Sequence, residues 1–83
     1  MKITVRRTGG FAGISKEAVL DTATVPDGRQ VEELVARADF GIRASRPQPD
    51  RFNYHVEAGD KRVELGEQDL TEDLRQLVER VLG

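Results

Sequence analysis

Phe52-Asn53-Tyr54-His55-Val56-Glu57-Ala58-Gly59-Asp60-Lys61-Arg62-Val63-Glu64-Leu65 is the stretch whose reading decides the fold. Phe52, Tyr54 and Val56 alternate with Asn53, His55 and Glu57, the period-two pattern of a strand with one face buried. Ala58-Gly59-Asp60-Lys61 supplies turn chemistry, and Val63 and Leu65 carry the apolar face into a second strand. Phe52 and Tyr54 are therefore expected in the core. Behind this hairpin, Leu70, Leu74, Leu77, Val78, Val81 and Leu82 recur at helical spacing, the strongest periodicity in the chain. Asp69 and Glu72 have capping-box spacing for that helix, and Arg75 and Arg80 sit toward its C-terminal half, where the helix dipole favours cations.

The N-terminal half repeats the order. Residues 2–7 place Ile3 and Val5 on one face and Lys2, Thr4 and Arg6 on the other, a half-buried strand. Gly9-Gly10-Phe11-Ala12-Gly13 interrupts it with three glycines, as a hairpin tip or bulge does. A second strand runs over 14–21 with Ile14, Ala18 and Leu20 in phase. Val25-Pro26-Asp27-Gly28 is a turn in which Asp27 or Thr24 is available to cap a helix. Val31, Leu34, Val35 and Ala38 then form one apolar stripe of a helix ending near Asp39. Residues 40–51 hold Pro47 and Pro49 among polar neighbours and read as a long loop.

The elements thus run ββαββα. They predict an α+β domain over 1–83, with a four-stranded, mostly antiparallel sheet and two helices packed on one face. If neighbours are antiparallel, the glycine tip, the 40–51 loop and the 66–69 connection share one end of the sheet. The 22–27 and 58–61 turns share the other.

Composition sets limits. A length of 83 residues permits one domain, with a folded surface of roughly 5,000 Å² and about 63 % of the extended chain's area buried. Thirteen basic and fifteen acidic residues leave a net charge of −2, and no general pull toward nucleic acid. Arg6 and Arg7, and Arg43, Arg46 and Arg51, are small basic groups offset by nearby acids. The run Glu64, Glu67, Asp69, Glu72 and Asp73 reads either as first-turn helix acids or as a negative rim facing a partner. There are no cysteines, hence no disulfides or thiolate metal sites. No apolar run approaches the roughly 18–20 residues that cross a bilayer, and the N-terminus is a strand pattern instead of a signal core. A cytoplasmic protein without membrane or nucleic-acid partners is expected, monomeric when free.

Catalytic chemistry is sparse. His55 is the only histidine and lies on the polar phase of a strand, poor material for a metal site. Ser15 and Ser45 lack a nucleophile-elbow context. Gly9-Gly10-Phe11-Ala12-Gly13 has no following Lys-Ser/Thr and no helix directly behind it, so it is not a phosphate cradle. These readings point to a binding module that is not an enzyme and carries no catalytic residue, metal or cofactor.

The opening Met1-Lys2-Ile3-Thr4-Val5-Arg6-Arg7-Thr8-Gly9-Gly10-Phe11-Ala12-Gly13 resembles the start of the emfourin family. Ala38-Asp39-Phe40, Asp50-Arg51-Phe52-Asn53-Tyr54 and the Leu-rich closing helix resemble that family in the same order. The most specific piece is Gly-Gly-Phe-Ala-Gly after an N-terminal strand. The chain departs from the family in its compact 58–61 turn and in Gly41 after Phe40. Emfourin is a small protein inhibitor of protealysin, a bacterial zinc metalloprotease of the thermolysin family. The resemblance therefore implies a protein that binds a thermolysin-like protease one to one and occludes its cleft. Such a cleft has a zinc held by two His and one Glu, and a pocket for a large apolar side chain.

On that reading Gly9, Gly10, Phe11, Ala12 and Gly13 form one partner-binding segment, with Phe11 the apolar plug and the glycines allowing close backbone approach. Pro47, Gln48, Pro49 and Asp50 form a second, its prolines reducing the entropy lost on binding. Asp50 or Glu67 would supply a carboxylate near the zinc. Phe11 equally fits a core position, the glycines a bulge with positive φ, and the prolines a plain loop. The alternative function is a small regulatory interaction module with a partner that is not a protease.

Overall fold

A computed structural model describes residues 1–9, 15–42 and 51–83. Four strands, β1 (Lys2–Gly9), β2 (Lys16–Asp21), β3 (Phe52–Ala58) and β4 (Lys61–Gly66), and two helices, α1 (Gly28–Arg37) and α2 (Glu72–Leu82), follow the order ββαββα. The strands form one antiparallel sheet in the order β2-β1-β3-β4. The fold is α+β, as the alternation and periodicity predict. Ile14, expected to open the second strand, lies outside the described residues.

One face of the sheet makes the core with the helices. Ile3 and Val5 of β1, Val56 and Ala58 of β3, and Val63 and Leu65 of β4 are buried against Val31 and Val35 of α1 and Leu74, Leu77, Val78 and Val81 of α2. Tyr54 packs partly buried against this cluster. Phe52 does not join it and is only half-buried. Its cross-strand neighbour is Gly9, which has no side chain to cover a ring at the strand's end, so the core ends at Tyr54.

Strand directions set the two ends. Gly9 pairs with Phe52 and Asn53 with Gly66, so these residues share one end. At the opposite end the Thr22 amide donates to the Met1 carbonyl at 2.9 Å, and Gly59 donates to Lys2 at 3.4 Å. β2 and β3 run in the same direction with β1 between them, so the chain climbs back through α1 and the connection behind it. That connection does not begin where antiparallel alternation would put it. The Phe40 ring centroid is 5.9 Å from the Lys61 Nζ, beside the first residue of β4 and at the far end of that strand from Gly66.

Both helix starts differ from the sequence expectation. The cap of α2 is Thr71, whose Oγ1 accepts from the Leu74 amide at 3.3 Å. Asp69 cannot reach, because it ends a 3-10 turn, Glu67–Asp69, and the chain is extended at Leu70 before the helix begins. Asp27 occupies the cap position of α1 without making a cap bond. Its two carboxylate oxygens instead accept from Nε and an Nη of Arg80, each at 2.7 Å. This pair ties the start of α1 to the end of α2, while Arg37 and Asp73 approach to 3.7 Å at the other ends. The helices are therefore antiparallel.

α1 begins unusually close to the 3-10 turn Thr22–Thr24 that follows β2. A Cβ added at Gly28 would sit 2.0 Å from the Thr22 carbonyl oxygen. Thr22, 5 % exposed, also donates its hydroxyl to Glu32 of α1 at 2.5 Å. Helix propensity alone favours Gly28→Ala by about 1 kcal/mol, but the overlap with fixed backbone opposes it. Sterics should win. Gly28→Ala is expected to destabilise the fold by about 2 kcal/mol or more, read as a lower urea midpoint; a raised midpoint would contradict this packing.

Candidate partner-binding site

The end of the sheet bearing Gly9, Phe52 and Gly66 is built from the tips of three strands. Gly9 closes β1 with φ +89°, a backbone that side chains rarely adopt, and its missing Cβ would lie 2.9 Å from the Arg51 carbonyl oxygen. Of the expected contact residues, Gly9 is the one described, and positive φ together with this close approach accounts for it as glycine. Gly10, Phe11, Ala12, Gly13, Pro47, Gln48, Pro49 and Asp50 lie outside the described residues. Their attachment points do not all converge. Gly9, which opens the first segment, is in contact with Arg51, which follows the second. Ile42, which precedes the second, packs partly buried against the core with Phe40.

Around Gly9 the end is held by side chains. Arg7 follows Ile3 and Val5 on the helix-facing phase of β1, and its guanidinium lies 4.6 Å from the Phe52 ring centroid, a cation–π contact. The Glu67 carboxylate accepts from the Phe52 amide at 3.4 Å, clipping the start of β3 to the exit of β4. Next to it is an open cleft of about 360 Å³ lined by Tyr54, Glu67, Leu70, Arg75, Val78 and Glu79. Arg7 was visible in the sequence only as part of a small basic group; its stacking partner depends on the β1–β3 register.

The acidic run is largely engaged within the chain. Glu64 meets His55, Glu67 meets the Phe52 amide, Glu72 accepts from Arg75 at 2.6 Å and Gln76 at 3.2 Å, and Asp73 faces Arg37. These contacts favour the structural reading of the run over a negative rim awaiting a partner.

His55 stands apart, on the sheet face opposite the helices. Its Nδ1 is 2.9 Å from Glu64 Oε1 and its Nε2 2.8 Å from Glu57 Oε1. A neutral imidazole has one N–H, whereas the cation can donate to both carboxylates. The Glu57 hydrogen bond, assisted by Glu64 and opposed by desolvation, accordingly raises the His55 pKa above its ordinary 6.5. The same bond lowers that of Glu57. At the helix ends, the Arg80 hydrogen bond likewise lowers the Asp27 pKa. With both ring nitrogens occupied on opposite edges, His55 does not gather ligands around one point, and no group of three or more metal-ligating side chains occurs among the described residues.

The sequence model of the Emfourin family matches residues 5–82. This chain belongs to the Emfourin family. The match takes in β1 from Val5 onward, the other three strands, both helices and every described residue of the Gly9 end. Emfourin domains are metalloprotease-inhibitor domains, which supports a protease-inhibitor role at the level of the family. No curated protein and no solved structure matches the chain significantly. No helix among the described residues is long and apolar enough to cross a membrane.

The His55 contacts yield a pH dependence for this Emfourin domain. A pKa raised on folding means that the stabilisation is fully present below the unfolded value of about 6.5 and is lost as pH rises through the folded value. The single histidine should titrate by NMR with a midpoint above 6.5. The stability advantage of the natural protein over His55→Asn should shrink from acidic to alkaline buffer. A midpoint at or below 6.5 would show that the two carboxylates do not hold the cation.

Proposed function

We propose that this protein inhibits a thermolysin- or protealysin-like zinc metalloprotease by binding in a one-to-one complex across the active-site cleft, in the bacterial cytoplasm. The observation that carries this reading is the Emfourin match over residues 5–82. The contact of Gly9 with Arg51 supports the choice of surface, because it joins one end of each proposed binding segment.

The physical requirements are modest. The protease supplies the zinc, its activated water and the apolar specificity pocket; the inhibitor supplies shape. In our reading Gly9, Gly10, Phe11, Ala12 and Gly13 enter the cleft with Phe11 in that pocket, and Pro47, Gln48, Pro49 and Asp50 lie alongside. Prolines reduce the conformational entropy lost on binding. A standard interface covers about 800 Å² per partner, a modest share of the 5470 Å² accessible surface. Glu67 is better placed as the clip on the Phe52 amide than as a zinc ligand, since Phe52 already donates to its Oε1.

The test is a titration of the protease encoded nearest to this protein, following peptide hydrolysis after preincubation. Inhibition should reach a one-to-one endpoint. Prior EDTA treatment of the inhibitor, with the chelator then removed, should not change it. Phe11→Ala should weaken inhibition on the order of tenfold or more, as loss of an interface anchor does, with the denaturation midpoint unchanged. If Phe11→Ala lowers stability and leaves affinity intact, Phe11 is a core residue. No inhibition at micromolar excess would transfer the function to a regulatory interaction module.

A further inference from the structure

β4 is an edge strand, with β3 as its one strand neighbour among the described residues. Edge strands present unpaired amide and carbonyl groups, and charged side chains usually deter other chains from using them. The charges of β4 have a different property. Arg62 and Glu64 lie two residues apart on the face away from the helices, flanking Val63, which faces the core. The side chain of Glu64 is 75 % exposed.

Consider two copies of β4 pairing antiparallel about a two-fold axis through Val63. Arg62 of each copy then faces Glu64 of the other, giving two opposite-charge pairs by symmetry. Val63 faces Val63, and Lys61 faces Leu65. Directly opposed residues share a sheet face, so an axis through a residue keeps both helical layers on one side of an eight-stranded sheet. An axis between residues would put the core-facing positions of one copy on the solvent side of the other. The other central registers oppose like charges: an axis through Glu64 brings Glu64 onto Glu64, and one through Arg62 brings Arg62 onto Arg62.

β2, the other edge, lacks this complementarity. An axis through Val19 sets Glu17 against Asp21 twice, and one through Ala18 pairs Glu17 with Val19 and Lys16 with Leu20. We infer that β4 is a self-association surface through which two copies of this chain form a continuous sheet, held in register by the reciprocal Arg62–Glu64 pairs.

The inference is independent of the inhibitor reading and revises the expectation of a free monomer. The two Gly9 ends point to opposite ends of the joined sheet, so both stay open and one inhibitor per protease is preserved. Glu64 also holds His55 of its own chain. Arg62 lies across from Glu57 of its own β3, between that carboxylate and Glu64 of the second copy.

Sedimentation equilibrium over a concentration series reaching the millimolar range tests this. The natural protein should rise from 9.3 kDa toward twice that mass. Arg62→Glu and Glu64→Arg replace both opposite-charge pairs by like-charge pairs and should each weaken association on the order of tenfold or more. Mixed in equal amounts, the two variants set a strand acidic at both positions against one basic at both. Opposite charges then meet at each facing pair, so the mixture should recover the dimer. On the unsubstituted protein, amide exchange in β4 should slow with concentration while that in β2 does not. A mass fixed at 9.3 kDa at every concentration, single variants that associate like the natural protein, or a mixture that stays monomeric would each overturn the proposal.

Discussion

The burial of Ile3 and Val5, both fully inaccessible, is the constraint on which the rest of the structure depends. They sit on β1, which pairs with β2 on one side and β3 on the other. A central strand has no free edge, so its backbone groups are satisfied only when both neighbours are in place. Its core face is closed by the helical layer, with α2 packed across β1 and β2. The two ββα halves are therefore not independent units. β1 from the first half is the template on which the hairpin of the second half assembles, and β3 enters beside β1 instead of outside β2.

The helical layer shows the same reciprocity. α1 and α2 run antiparallel and are fastened at both ends, by Asp27 with Arg80 and by Arg37 with Asp73. Both pairs are exposed enough that water and salt screen them, so their contribution is to orientation more than to stability. The close approach of Gly28 to Thr22 is a stronger constraint. It sets where α1 leaves the sheet, and hence where its apolar stripe of Val31 and Val35 enters the core.

With the helices covering one face, the Gly9 end is the part of the domain that the proposed inhibitor reading uses. Arg7 stacked on Phe52 and Glu67 clipped to the Phe52 amide hold the strand tips there. A preformed base of this kind lowers the entropy lost when attached segments engage a partner. The opposite sheet face is occupied by a charge lattice in which His55, Glu57 and Glu64 are mutually engaged. The inhibitor reading and the edge-pairing inference thus use different parts of the domain.

Local patterning was enough for much of this. Period-two alternation in 52–57, helical periodicity in 74–82 and the turn residues between them specify strands, helices and the α+β class, because burial of one face imposes its period on the sequence. The family resemblance was legible in the Gly-Gly-Phe-Ala-Gly segment and extends over residues 5–82. Contacts between segments distant in sequence were not legible. Asp27 was recruited by Arg80, 53 residues away, leaving its cap position without a side-chain bond, and Thr71 capped α2 once the chain straightened at Leu70. Phe52 fell outside the core because its neighbour across the sheet is Gly9, and His55 found both of its carboxylates only through the β3–β4 register. Strand order, capping partners and ion pairs depend on which elements meet, and no single element carries that information by itself.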